Sequence, residues 1–178
     1  MVLERIQLQN RNWPIDAFVH WMQKGDLLLN PPYQRGVVWG RKRQQNFIRS
    51  IIQQIPFPSI VVNNRLGADM SGGGPAYAVI DGKQRLTAVL NFVHGKLAVP
   101  GEWFGDYEVT YRGAADVLTF GQLKPGAQSR FLGRPIAAAE TCLKTIEQEQ
   151  LVFEMINFCG LAQGEVDSDP VETFEVIR

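Results

Sequence analysis

The sequence predicts a single domain that mixes strands with helices, and three observations carry that expectation. The chain has 178 residues, 45% of them hydrophobic and 20% charged, the balance of a globular protein long enough to bury a core. Its apolar pattern changes period at one polar turn: residues 76 to 80 are small, aromatic or β-branched like a buried strand, whereas Leu86, Val89, Leu90 and Val93 recur at helical spacing. Further stripes of the helical kind are separated by short strand-like runs, with no internal repeat.

Residues 3 to 9 read as a short edge strand. Trp13-Pro14 opens a helix with Ile15, Phe18, Val19 and Met22 on one face, and Lys24-Gly25 closes it, because Pro suits a first helical position and Gly the position after the last. Residues 30 to 39 are held extended by Pro31 and Pro32 and read as a loop. Residues 41 to 55 form a helix with Phe47, Ile48, Ile51, Ile52 and Ile55 inward, stopped by Pro56 and Pro58. A strand at 59 to 64 and a glycine-rich connection at 66 to 75 lead to the central strand, and Gly95 ends the helix that follows. Beyond it, residues 107 to 112 read as a strand, 124 to 131 as a short helix, and Ile136, Ala138 and Leu143 as a further strand. Thr145-Ile146-Glu147-Gln148 is a capping box before a helix whose apolar face is Leu151, Val152, Met155, Ile156 and Cys159, ended by Gly160. Residues 1–165 are expected to be the domain and 166–178 an acidic, poorly ordered tail.

Composition excludes several classes. No apolar run approaches the roughly 20 residues of a membrane helix, and the first residues do not open a secretory signal, so a cytoplasmic protein without a membrane partner is expected. Cys142 and Cys159 lack a CxxC partner, and with only His20 and His94 they do not make a zinc site. Net charge is zero but unevenly spread. Between Asp26 and Asp69 there is no acid and there are six cations, Arg35, Arg41, Lys42, Arg43, Arg49 and Arg65, whereas nine acids lie from Glu140 onward. The basic third suggests phosphate or nucleic acid; the plainer alternative is that the two ends attract each other in the fold.

Chemistry concentrates at the period change. Asp81 is placed as the N-cap of the helix, and Gln84 three residues on completes a capping-box spacing. The remaining N–H groups, a glycine that permits close approach, and Lys83 and Arg85 in the first turn make a candidate phosphate site. A capped helix with two solvated cations is the competing account. Arg85 falls outside the apolar stripe, so its guanidinium is expected to be dispensable for folding. Arg41-Lys42-Arg43 loads a second helix start with cations, and Tyr33, Gln34, Arg35 and Trp39 offer a stacking face, an amide, a phosphate fork and an indole N–H within seven positions. The glycines at 72 to 74 are not a P-loop, since Gly82-Lys83 is followed by Gln84 and not by Ser or Thr.

Pro32-Tyr33-Gln34-Arg35 with Trp39, followed by Val79-Ile80-Asp81-Gly82-Lys83-Gln84-Arg85-Leu86-Thr87, resembles the N-terminal domain of GmrSD-type restriction proteins, a branch of the ParB/sulfiredoxin-like superfamily. Met155-Ile156-Asn157 is similar to that family's later Phe-x-x-Ile-Asn element. The resemblance implies an α+β fold, a ParB/sulfiredoxin-like domain with a small mixed sheet and surrounding helices. It also implies that the Asp-Gly-x-x-Arg turn, here through Thr87, handles a nucleoside triphosphate and that the Tyr33 loop faces the same pocket. Lys83 departs from the family's usual Gln, and the HNH-type nuclease module of larger relatives has no counterpart here, since both histidines precede residue 95.

The leading expectation is a nucleotide-binding, NTP-hydrolysing domain in DNA restriction, phage defence or phage counter-defence. Gly82 and the following amides would take the phosphates, Lys83 and Arg85 their charge, Arg35 a second phosphate, and Gln34 a water or the base, with Gln84 and Thr87 completing the binding set. Asp81 is either the cap or a Mg2+ ligand. The alternatives are a DNA-binding or nicking module that uses the same basic surface without nucleotide, and a noncatalytic protein that engages a nuclease module or homologue on a separate chain through the acidic tail.

Overall fold

The computed structural model describes residues 6–34, 36, 38–68, 74–110 and 116–158. Residues 1–5, Arg35, the centre of the glycine-rich connection, 111–115 and everything from 159 onward, including Cys159 and the expected tail, lie outside the described residues.

A five-stranded mixed sheet runs in the order β1-β7-β3-β4-β2, and the class is α+β. β1 (Gln9–Pro14) pairs antiparallel with β7 (Pro135–Thr141), which runs parallel to β3 (Ile60–Asn64). β3 pairs antiparallel with β4 (Tyr77–Asp81), and the two-residue β2 (Leu27–Leu28) runs parallel to β4 at the edge. A second small sheet joins β5 (Val99–Pro100) to β6 (Val117–Leu118).

Alternation along the strands makes two cores. Ile60, Val62 and Val79 face the large one, shared with α1 (Ile15–Lys24), α2 (Arg41–Ile52), α3 (Lys83–Val93) and α4 (Pro125–Leu132). Ile80 faces the other way and meets Leu143 and Val152 under α5 (Ile146–Phe158). Because β4 is covered on both faces, its buried run is continuous, as the sequence pattern implied.

Local signals place most helix ends. α1 ends at Gly25, whose φ of 76° is left-handed; Gly25 N–H donates to Met22 O at 3.2 Å and Asp26 N–H to Trp21 O at 2.8 Å. α2 stops at Ile52, short of the expected 55, because Gln54 turns left-handed (φ 58°) and Ile55 N–H closes onto Ser50 O at 2.9 Å. Of the expected strand at 107 to 112, residues 111 and 112 lie outside the described residues; its start falls instead in a 3₁₀ turn, Asp106–Glu108, in which Gly105 N–H donates to the Glu108 carboxylate at 3.0 Å, and an isolated bridge joins Val109 to Leu123. On α5, Glu149 and Val152 are buried and Phe153 is half-buried, whereas Met155 and Ile156, expected inward, are exposed. Among the described residues no helix is long and apolar enough to cross a membrane.

Candidate functional site

The turn from β4 to α3 is fixed by sterics before any chemistry. Gly82 has φ 98°, and a Cβ there would lie 2.4 Å from Ile60 Cγ2 on the neighbouring strand. The glycine that the sequence suggested for close ligand approach is thus required by β3 packing against its other side. Gly82, not Asp81, is the N-cap, and no side chain caps α3. The capping-box expectation is corrected in the same way: Gln84 turns outward to the preceding loop. Its Oε1 accepts from Val38 and Trp39 N–H at 3.1 and 3.3 Å, and its Nε2 donates to Gly36 O at 3.1 Å.

Asp81 is left with Arg85, one helical turn on, at 2.5 Å. Arg85 also donates to the Pro58 carbonyl, so its guanidinium ties the end of β4 to the segment before β3. Its side chain is only 12% exposed. The expectation that it is idle in the fold is therefore corrected.

Gln34 does for β4 what β2 is too short to do. β2 pairs only as far as Ala78, and the Gln34 Nε2 donates to the next two β4 carbonyls, those of Val79 and of Ile80, the latter at 2.7 Å. Buried carbonyls need such partners.

These residues border a cavity of about 480 Å³, open to solvent, between the loop before α2, the β4–α3 turn and α5. Gln34, Asp81, Gly82, Lys83, Gln84 and Arg85 line it together. Arg43 lines it as well, 4.9 Å above the Trp39 ring, and α2, like α3, begins without a side-chain cap. Trp39, Phe47, Phe57 and Phe153 give the cavity an aromatic wall. Lys83 is 7% exposed, and burial lowers its ammonium pKa from the usual lysine value.

Two residues of the expected set stand apart. Thr87 lies one turn along α3 from Lys83, outside the cavity lining, and its buried hydroxyl makes no hydrogen bond among the described residues. Tyr33 is also outside the lining; its hydroxyl donates to Glu149 Oε2 at 3.1 Å, and its ring meets Phe153 at 5.7 Å. Burial first, then the Glu149 charge, raises the phenol well above its usual range, so it stays protonated as a donor. Among the described residues no group of three His, Cys, Asp or Glu could hold a metal, and Asp81 is the one carboxylate in the lining.

Phe57 and Phe153 carried no signal in the sequence, and Glu149 counted only among the nine acids from Glu140 onward. Arg65, counted with the basic third, is buried against Glu149. That pair joins the basic third to the acidic end; Arg11, which lies before the basic third, pairs with Glu140 at 2.9 Å.

No curated protein and no solved structure matches the chain. One family model does match, over residues 18–165, which include the cavity and all three segments that wall it. The chain belongs to the family of the GmrSD restriction endonuclease N-terminal domain.

Proposed function

We propose that this domain binds a nucleoside triphosphate in the cavity and hydrolyses it, in the service of DNA restriction, phage defence or phage counter-defence. The observation that supports the reading best is that two uncapped helix starts, each with cations in its first turn, meet at one aromatic-walled cavity. Each such cation opposes its helix dipole by about 0.3–1 kcal/mol, a cost that a bound anion reverses. The amides after Gly82 hold phosphates, Lys83 and Arg85 balance their charge, Arg43 meets a second phosphate, the role expected of Arg35, which lies outside the described residues, and the base lies on the aromatic wall. Gln34, its nitrogen fixed on β4, turns its carbonyl oxygen to a water. Tyr33 and Thr87 act from behind the lining.

Mg2+ suits this arrangement, because one carboxylate beside substrate phosphates is a common protein contribution for that ion. Asp81 is not consumed as a helix cap and is 32% exposed, so one oxygen remains for it. When bound, Mg2+ supplies charge neutralisation at the transferring phosphoryl group. The partner served is a nuclease module or a homologue on a separate chain.

Calorimetric titration with ATP, GTP, CTP and UTP in Mg2+ tests the reading. Binding of at least one, with phosphate released on incubation, is expected; binding of none overturns it. A second reading, a surface for duplex DNA, is favoured by Arg41 and Lys42, which are exposed on α2 and make no ion pair among the described residues. It requires affinity that falls by about 0.9 log unit per log unit of salt for each phosphate neutralised. Anisotropy of a labelled duplex at two salt concentrations measures that slope.

A further inference from the structure

Glu149 is fully buried on α5, outside the cavity, and is held by three residues. Arg65 Nε donates to Oε1 at 2.9 Å and Arg65 Nη2 to Oε2 at 2.7 Å; Asn63 Nδ2 donates to Oε1 at 2.8 Å; and the Tyr33 hydroxyl donates to Oε2 at 3.1 Å. A buried carboxylate satisfied in this way is costly to desolvate, and apolar residues of similar volume often stabilise a fold as well or better, so stability alone is a poor reason for its presence.

What the node joins is more informative. Asn63 belongs to β3 and also accepts from Leu143 N–H at 2.7 Å, so the node is anchored in the sheet. Tyr33 immediately precedes Gln34, which lines the cavity. Glu149 lies one helical turn before Phe153 and two before Asn157, and both of these line the cavity from α5. One carboxylate thus connects the sheet, the Gln34 loop and the α5 wall. The Tyr33 ring against Phe153 makes a second point of contact along the same seam.

We propose that Glu149 is a positioning residue for the cavity: without touching the ligand, it sets the spacing between the Gln34 loop and the α5 wall, with the Tyr33 hydroxyl as the latch. The inference rests on the reading that the cavity takes a nucleotide. A wall displaced by a fraction of an ångström loses contacts on one side of the ligand, so the effect appears as faster dissociation.

Tyr33→Phe opens the latch and keeps the ring. Calorimetry and stopped-flow dissociation with the triphosphate that the wild type binds, in Mg2+, should show a Kd about three- to thirty-fold higher, as for residues that act on a site without contacting its ligand, with the change in the off-rate. Gln128→Ala is the control for stability, since it removes hydrogen bonds to the Phe120 and Leu123 carbonyls away from the cavity. It should melt lower and bind as wild type. In the wild type, amide exchange across residues 150–157 should slow when nucleotide binds, a measurement that stands whether or not Tyr33→Phe folds. Wild-type affinity in Tyr33→Phe, or unchanged exchange in α5 on binding, overturns the positioning role alone. Absence of any nucleotide binding by the wild type overturns the function as well.

Discussion

Arg85→Ala separates the structural and ligand roles of the β4–α3 turn. The guanidinium bonds Asp81 and the Pro58 carbonyl, and its stem is packed, with only 12% of the side chain exposed. Hydrogen bonds to charged groups are worth about 1.5–3 kcal/mol each when sheltered. Asp81 is a third exposed, however, so its bond is discounted to about 1 kcal/mol, and the Pro58 bond, at an exposed carbonyl, to about the same. Loss of packed methylenes adds about 1 kcal/mol. Removing a first-turn cation returns about 0.5 kcal/mol. The mutant should therefore lose about 2–3 kcal/mol, which for a domain of this size lowers Tm by roughly 4–10 °C. Urea unfolding measures the loss. Under the proposed function, calorimetry on the folded mutant should also show nucleotide affinity lower by about tenfold or more, because a cation assigned to balance phosphate charge is removed. A stability change under about 0.5 kcal/mol would refute the tether, and unchanged affinity would remove Arg85 from the phosphate site.

Three further outcomes follow from the same turn. Gly82→Ala forces a side chain into a left-handed φ and against Ile60, so it should cost about 2–5 kcal/mol in urea unfolding; a loss below about 1 kcal/mol would mean that β3 yields. Gln34→Ala strips two β4 carbonyls of their donor and should cost about 1–3 kcal/mol, whereas a purely catalytic Gln34 would leave stability intact. Burial lowers the Lys83 pKa from 10.5, so between the folded and unfolded values the unfolded chain binds the extra proton and stability rises with pH. Lys83→Met should flatten that rise in unfolding titrations approaching 10.5, and an unchanged slope would show that Lys83 does not titrate with folding.

Much of the architecture was legible because its causes are local. Pro14 and Gly25 bracket α1, the capping box starts α5, where Gln148 N–H donates to Thr145 Oγ1 at 3.2 Å, and the change of period marks the junction of β4 and α3. Each signal acts within about one turn of chain, so it survives in the sequence. The grouping of Gln34 with residues 81 to 85 was legible as well, through two motifs in a familiar order.

The parts that went unread depend on partners far away in sequence. Gly82 is explained by Ile60, 22 positions earlier, and Arg85 by Pro58, neither of which a helix-start pattern contains. Glu149 meets Tyr33 across 116 positions, and nothing in a helix of mixed polarity tells a buried carboxylate from a solvated one. The inward face of α5 went the same way: the apolar stripe through Met155 and Ile156 has the right period, but Arg65 and Asn63 hold Glu149 and so turn the helix to bury Glu149 and Val152 and half-bury Phe153. The sequence by itself determined the main helices, the central strand and where the polar turn falls. Only the tertiary structure decided which face of α5 is buried, which polar groups are consumed in holding the fold, and which remain to meet a ligand, because pairing across the sheet, and not spacing along the chain, sets those choices.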